Sequence, residues 1–139
     1  MWTGGKVPDI EDTEGTADSE DSTVILRGVL DQWKHGIDAH DPESVAAVFT
    51  ADAIFQGLRP FSVGPHGVFA YYDSQPAGMT VEYRILESRR LADDAALGYL
   101  AATFAFRDRD PAELRLGVVV TRANDGWRIT YYQASPAPD

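Results

Sequence analysis

General acid–base chemistry needs a titratable side chain desolvated beside the proton it moves, so the positions of the carboxylates and histidines decide whether the chain has such a group. Asp38, Asp41, Asp73, Asp93, Asp94, Asp108, Asp110 and Asp125 fall at helix ends or in turns. Glu82 is opposite in parity to Val81, Tyr83 and Ile85, on the other face of an alternating stretch. His35 lies off the apolar Trp33 face of a helical pattern, His40 belongs to a capping loop, and His66 caps a later helix near the expected cavity mouth. No carboxylate pair is expected inside, and no His, Asp and Glu cluster has metal-ligand spacing. The chain contains no cysteine, which excludes thiolate nucleophiles, thiolate metal sites and disulfides. Gly64, Gly67 and Gly78 punctuate helices and form no phosphate loop. Neither a metal nor a cofactor is expected, and no residue stands out as catalytic.

The uncharged polar groups and arginines are better placed. Asn124, Asp125 and Gly126 separate two alternating runs and fit a three-residue hairpin loop with Gly in the left-handed region. That register sets Ala123 opposite Trp127, Thr121 opposite Ile129, Val119 opposite Tyr131, Gly117 opposite Gln133 and Arg115 opposite Ser135. Arg115, Gly117, Tyr131 and Gln133 then share one face. Gly117 leaves room beside the Gln133 amide, and Arg115 either meets an anion or carbonyl of a ligand or pairs with an acid near the sheet end. A two-residue turn at Asp93 and Asp94 pairs Ile85 with Ala102, Tyr83 with Phe104 and Val81 with Phe106. Each buried tyrosine ring contributes apolar area and a hydroxyl that needs a partner; Tyr83 and Tyr131 are the two expected at a cavity.

The elements that position these groups are legible from period. Val24, Leu26, Leu30, Trp33 and Ile37 recur at helical spacing after the capping residues at 21–23, and the pattern stops at 40–42. Asp41 caps a second helix with Pro42 at its first position and Val45, Val48 and Phe49 on its apolar face. Residues 51–72 form a hinge: a short strand at 53–56, a loop broken by Gly and Pro, then a third helix with Val68, Phe69 and Tyr72 facing inward. From Met79 onward the period changes to two, giving strands at 79–85, 95–107, 113–122 and 127–134. Two of these are apolar on both faces, so the outer face of the sheet is expected to be covered by a second copy of the chain.

The chain has 139 residues and a net charge of −10. Residues 1–21 hold seven acids against Lys6, so most of the acidity is local, and this stretch is expected to be a flexible arm dispensable for folding. Residues 22–135 form one domain and 136–139 a tail. Nucleic acid is not an expected partner, because phosphate binding needs clustered Lys and Arg. No apolar run approaches the roughly 20 residues that span a bilayer, and no basic-then-apolar secretory pattern opens the chain. A cytoplasmic protein without a membrane partner is expected.

Three segments resemble one superfamily. HDPESVAAVFTADAIFQG resembles the second-helix-to-first-strand segment of the NTF2-like (SnoaL-like, cystatin-like α+β) superfamily, GPHGVFAYY its Gly-started third helix, and DGWRITYYQAS its closing strand. Within it, Phe55-Gln56-Gly57 and Gln133 are most similar to the SgcJ/EcaC group, whose members accompany enediyne polyketide biosynthesis. The resemblance covers roughly residues 22–135. It implies an α+β cone, with three N-terminal helices packed on a curved mixed or antiparallel sheet enclosing a pocket. It also implies dimers through the outer sheet face. Catalytic relatives use a pocket carboxylate or His aided by Tyr or Arg, and other relatives only bind.

Together these readings predict a concave site formed by Trp33, Phe55, Gln56, Tyr72, Tyr83, Phe104, Arg115, Tyr131 and Gln133, taking a small hydrophobic or polyketide-like ligand. Two functions fit: an accessory pocket protein for a polyketide (enediyne polyene) intermediate, and a cyclase, isomerase or dehydratase using Tyr, Gln and Arg without a carboxylate base. The missing internal acid favours the first.

Overall fold

A computed structural model of the chain describes residues 13–138, which build helices α1 (Thr13–Asp38), α2 (Pro42–Ala46) and α3 (Pro65–Asp73) and six strands. The strands are β1 (Phe49–Gln56), β2 (Ser62–Val63), β3 (Thr80–Ala92), β4 (Ala95–Ala105), β5 (Ala112–Ala123) and β6 (Gly126–Pro136). They form one sheet in the order β2-β1-β6-β5-β4-β3, parallel only between β1 and β6. The N-terminal helices cover one face, as expected of the α+β cone. Helix α1 starts at Thr13, within the stretch expected as an arm; residues 1–12 lie outside the described residues.

In α1, Leu26, Val29, Leu30, Trp33 and Ile37 are buried at spacings of three and four, the stripe a helix lays on a sheet. Val24, expected on that stripe, is 69% exposed, because two residues before Leu26 a side chain points across the helix. Gly36 lets α2 approach: a Cβ there would lie 2.8 Å from Val45 Cγ2. Asp41 caps α2 by accepting from the Ser44 amide at 3.2 Å, with Pro42 in the first turn. That helix is shorter than expected. Val48 and Phe49 are buried, but Phe49 already belongs to β1, where it pairs with Ile129. In α3, Val68 and Tyr72 face the core, while Phe69 is exposed and Tyr71 is half-buried in its place.

Strand parity divides the sheet into two surfaces. Leu114, Leu116, Val118 and Val120 of β5, Ile129, Tyr132 and Ala134 of β6, and Ala96, Leu100, Ala102 and Phe104 of β4 are buried under the helices. Both hairpins use bulges that the sequence does not announce. The β3–β4 turn at Asp93 and Asp94 is as expected, but register shifts near Leu91 and Leu86 move the pairing by two, so Ile85 opposes Leu100, Tyr83 opposes Ala102 and Val81 opposes Phe104. Two single-residue bulges restore the facing, which is why Val81 still points inward. In the β5–β6 hairpin the loop is only Asn124 and Asp125. Gly126, at φ +125°, already opposes Ala123, and Thr121 meets Arg128 where Ile129 was expected. A shift between Val119 and Val120 then brings in the expected pairs, Val119 with Tyr131, Gly117 with Gln133 and Arg115 with Ser135.

Helix α1 also closes a sheet edge. Strand β3 is terminal, and its Val81 N–H donates to Asp38 Oδ1 at 3.0 Å while its carbonyl accepts from Lys34 Nζ at 2.7 Å. Lys34 and Asp38 are themselves paired at 2.7 Å. Two backbone groups that an edge strand leaves open are thereby occupied by the helix. Asp38→Ala should lower the unfolding free energy by about 1–2 kcal/mol and speed hydrogen exchange at the Val81 amide. Urea denaturation and exchange NMR check both, and unchanged protection of Val81 would contradict the clasp.

Candidate functional site

The concave side of the sheet is filled by aromatic rings rather than left as an open cone. Trp33 makes edge contacts with Tyr83 (6.4 Å between centroids) and Phe104 (6.1 Å) and a tilted contact with Tyr132 (6.0 Å). Phe55 stacks on Tyr132 at 4.8 Å and meets Tyr71 edge-on at 5.1 Å. Each element contributes because its parity or helical face points there: α1 through Trp33, β1 through Phe55, α3 through Tyr71 and Tyr72, β4 through Phe104, β6 through Tyr132.

Within this cluster the polar atoms are linked. Trp33 Nε1 donates to Tyr72 Oη at 3.2 Å, and Tyr72 Oη donates to Tyr132 Oη at 3.5 Å. Burial raises the pKa of both phenols well above its ordinary value, so both stay protonated. Tyr83 is different. It is half-buried, and desolvation together with its hydrogen bond to the Asp31 carboxylate at 2.5 Å raises its pKa.

Beside the cluster lies a cleft walled by Leu58, Tyr71, Tyr72, Gln75, Met79, Phe104, Phe106, Ala112, Leu114, Tyr132 and Ala134. Its free volume is about 60 Å³, room for several waters or for one end of a larger ligand whose remainder lies at the open mouth, since a water needs roughly 10–15 Å³. A shallower hollow of about 190 Å³ lies on the other side of Tyr71, lined also by Phe55, Arg59, Pro60, Ser62, Gly67 and Ala70. The Tyr71 ring is thus the partition between two spaces. The Leu58 amide donates to its hydroxyl at 3.3 Å, and the Arg59 guanidinium sits 6.0 Å from the ring centroid. Gly57 permits this packing, because a Cβ there would collide with the ring.

The residues expected to converge do so only in part. Tyr72 and Phe104 line the cleft, Phe55 lines the neighbouring hollow, and Trp33 stands behind Tyr72. Tyr83 reaches the α1 side and bonds Asp31. Gln56, Arg115, Tyr131 and Gln133 do not join them. They share a face as expected, but it is the outer one: Gln56 pairs with Gln133, which pairs with Gly117, and the Tyr131 hydroxyl donates to Gln133 Oε1. The reason is competition for the core. Leu114, Leu116, Val118 and Val120 are an unbroken apolar set, and they take the inner face from Arg115, Gly117, Val119 and Thr121. Tyr132, Tyr71, Met79 and Phe106 are site residues that the sequence reading missed. The apolar set from Leu114 to Val120, continued across the hairpin, points to Tyr132 rather than Tyr131.

This arrangement is the cystatin-like, NTF2-like α+β fold. No family model matches the chain, and no curated protein sequence does. Among solved structures, a domain of unknown function with a cystatin-like fold from Nostoc punctiforme superposes with a TM-score of 0.74 at 17% identity, covering 86% of this chain and 79% of that one. A ketosteroid isomerase-like protein from Erwinia carotovora atroseptica gives 0.72 at 22% identity, covering 86% and 98%. An NTF2-like protein of unknown function from Pseudomonas putida gives 0.70 at 19%, covering 89% of each chain. No helix among the described residues is long and apolar enough to cross a membrane, and no cluster of three or more His, Asp or Glu side chains able to hold a metal occurs among them.

The buried phenols set an alkaline limit on the fold. Free tyrosine ionises near pH 10, whereas Tyr72 and Tyr132 keep their protons in the folded state. The stability tied to those protons is complete below about pH 10 and is lost as the pH rises above it, because only the unfolded chain releases them. In a spectrophotometric titration the phenolate absorbance of these two should emerge only together with loss of near-ultraviolet dichroism. Full ionisation of all 6 tyrosines with the dichroism intact would contradict their burial.

Proposed function

We propose that the protein is a small-molecule pocket protein that holds an apolar ligand in the cleft between α3, β4, β5 and β6 without transforming it. One observation carries this reading: the cleft wall contains no Asp, Glu, His, Lys or Arg, and its polar side-chain groups are tyrosine hydroxyls and the Gln75 amide. Such a wall suits binding, since pockets for small molecules are mostly apolar with a few placed polar groups. It offers no side chain poised near neutral pH to move a proton. The cyclase, isomerase or dehydratase alternative loses Arg115 and Gln133, two of the groups it relied on, to the outer face. The resemblance of Phe55-Gln56-Gly57 and the closing strand to the SgcJ/EcaC group supports a polyketide-like, polyene ligand and a place in secondary metabolism.

The test uses N-phenyl-1-naphthylamine, a neutral dye that brightens in apolar sites, and methyl parinarate, a linear polyene, as competitor. Saturable dye binding at micromolar concentration, displaced by the polyene, is expected. Ala112→Trp, which fills the cleft from a half-buried position, should weaken binding about tenfold or more, the effect of losing roughly 1.4 kcal/mol. Gln133→Leu, on the outer face, should leave it unchanged. Absent saturation, or binding indifferent to Ala112→Trp, would sink the proposal.

The outer face supports a second copy of the chain as partner. Val63, Ile54, Tyr131, Val119 and Leu97 form a row running across β2, β1, β6, β5 and β4. Tyr99, 46% exposed, stands beside Gly117, where an added Cβ would meet nothing. A row of this kind across a sheet is apolar surface seeking cover. Sedimentation should give a dimer at micromolar concentration, and Tyr99→Asp should yield a folded monomer; a wild-type monomer of 15.2 kDa would remove this partner.

A further inference from the structure

Trp33, Tyr72 and Tyr132 bring three hydrogen-bond donors to one buried spot, an indole N–H and two phenolic O–H groups. Only two bonds join them: Trp33 Nε1 to Tyr72 Oη at 3.2 Å, and Tyr72 Oη to Tyr132 Oη at 3.5 Å. The Tyr132 hydroxyl hydrogen then has no acceptor among the described residues, although the side chain is 2% exposed. Reversing the second bond hands the surplus hydrogen to Tyr72 without removing it. A buried donor left unpaired is costly, and both tyrosines line the cleft. The missing acceptor therefore belongs in the cleft.

We propose that the cleft selects a neutral ligand bearing a carbonyl oxygen, which accepts the Tyr132 O–H. The inference rests on the pocket reading above and adds the chemistry of what fills it. A hydrocarbon would cover the apolar wall of Leu58, Met79, Phe106 and Leu114 yet leave the hydroxyl unpaired. A site built to bond an oxygen discriminates against the analogue that lacks it far more strongly than apolar fit alone can. A carboxylate is disfavoured for the opposite reason. It would give up its hydration to a wall without Lys, Arg or His, and one phenol cannot offset that loss. The bonds behind Tyr132 add direction and strength. The indole donates to Tyr72, which sharpens the Tyr72 O–H as a donor to Tyr132, and that in turn sharpens Tyr132 toward the ligand. With Tyr72 accepting from Trp33 and donating to Tyr132, Tyr132 is the terminal donor.

The experiment compares acetophenone with α-methylstyrene, in which CH₂ replaces the carbonyl oxygen at nearly constant shape, and with benzoate, which replaces the neutral carbonyl by an anion. Binding to the full chain is followed by NMR at the Trp33 indole N–H. Wild type should bind acetophenone about tenfold more tightly than α-methylstyrene, the worth of one well-placed hydrogen bond, with benzoate weakest. In Tyr132→Phe the preference should shrink to within about twofold while α-methylstyrene binds as before; in Tyr72→Phe the preference should survive. Equal affinities in wild type, a preference that persists in Tyr132→Phe, or benzoate binding tightest would each overturn the inference. If α-methylstyrene binds without any preference for acetophenone, the pocket reading stands and this inference falls. If neither binds, the pocket reading itself fails and takes the inference with it.

Discussion

The indole nitrogen of Trp33 is the constraint on which the rest of the interior depends. The ring sits at the centre of the concave face and is fully buried, a large apolar gain that carries one obligatory donor with it. The indole donates to the Tyr72 hydroxyl, so α3 must lie where that hydroxyl reaches α1. Reaching it requires α2 to pack closely, which Gly36 allows by admitting Val45 against the α1 backbone. It also requires the loop after β1 to lie flat against Tyr71, which Gly57 allows. Tyr72 then meets Tyr132, and the helical layer is bonded to the sheet at its middle rather than only resting on it. Rings from six elements, Tyr83 of β3 among them, build the cluster around that pair, so deleting any one would open space that its neighbours close only in part.

The same geometry separates what the sequence reveals from what it hides. Helical and alternating periods are local, and the order of elements, the capping of α2 by Asp41 and the change of period at Met79 were all readable from adjacent residues. The face that each strand turns inward was not, because it depends on which of two alternating sets loses more by staying in water. In β5 the inner set is Leu114, Leu116, Val118 and Val120, and the outer set is mixed. Polar groups suit the side of a cavity, but the apolar set loses more by staying in water and takes the inner face. The bulges were hidden for another reason. An extra residue near Leu86 or Leu91 is chosen by packing between strands and by sheet twist, and neither leaves a mark in the local pattern.

Pairs of adjacent tyrosines show how narrow the margin was. Tyr131 and Tyr132 differ by one position, and so by a whole face of the sheet. One bonds Gln133 on the outer surface, and the other ends the buried chain of hydroxyls. Tyr71 and Tyr72 differ by about 100° around α3; one walls two spaces and the other bonds Trp33. Composition treats the members of each pair as equivalent, and their surroundings make them different chemical groups. Burial holds Tyr132 protonated, whereas Tyr131 is half-buried beside an amide.

Parity therefore gives the sheet two independent surfaces from one set of strands. Positions facing the helices in β5 and β6 set the shape and polarity of the cleft, and the positions between them set what the outer face presents. The backbone couples the two only through register. A shift of one residue would bring Arg115 and Gln133 inside and expose Leu116 and Tyr132, exchanging the surfaces outright rather than blending them. The bulge between Val119 and Val120 prevents that exchange. It absorbs the residue by which the short Asn124 and Asp125 loop would otherwise misalign β6, keeping Ile129 and Tyr132, on opposite parities of the chain, on the same buried face. Without that bulge, one of the two would point away from the helices, and the core would lose either the Ile129 side chain or the Tyr132 ring.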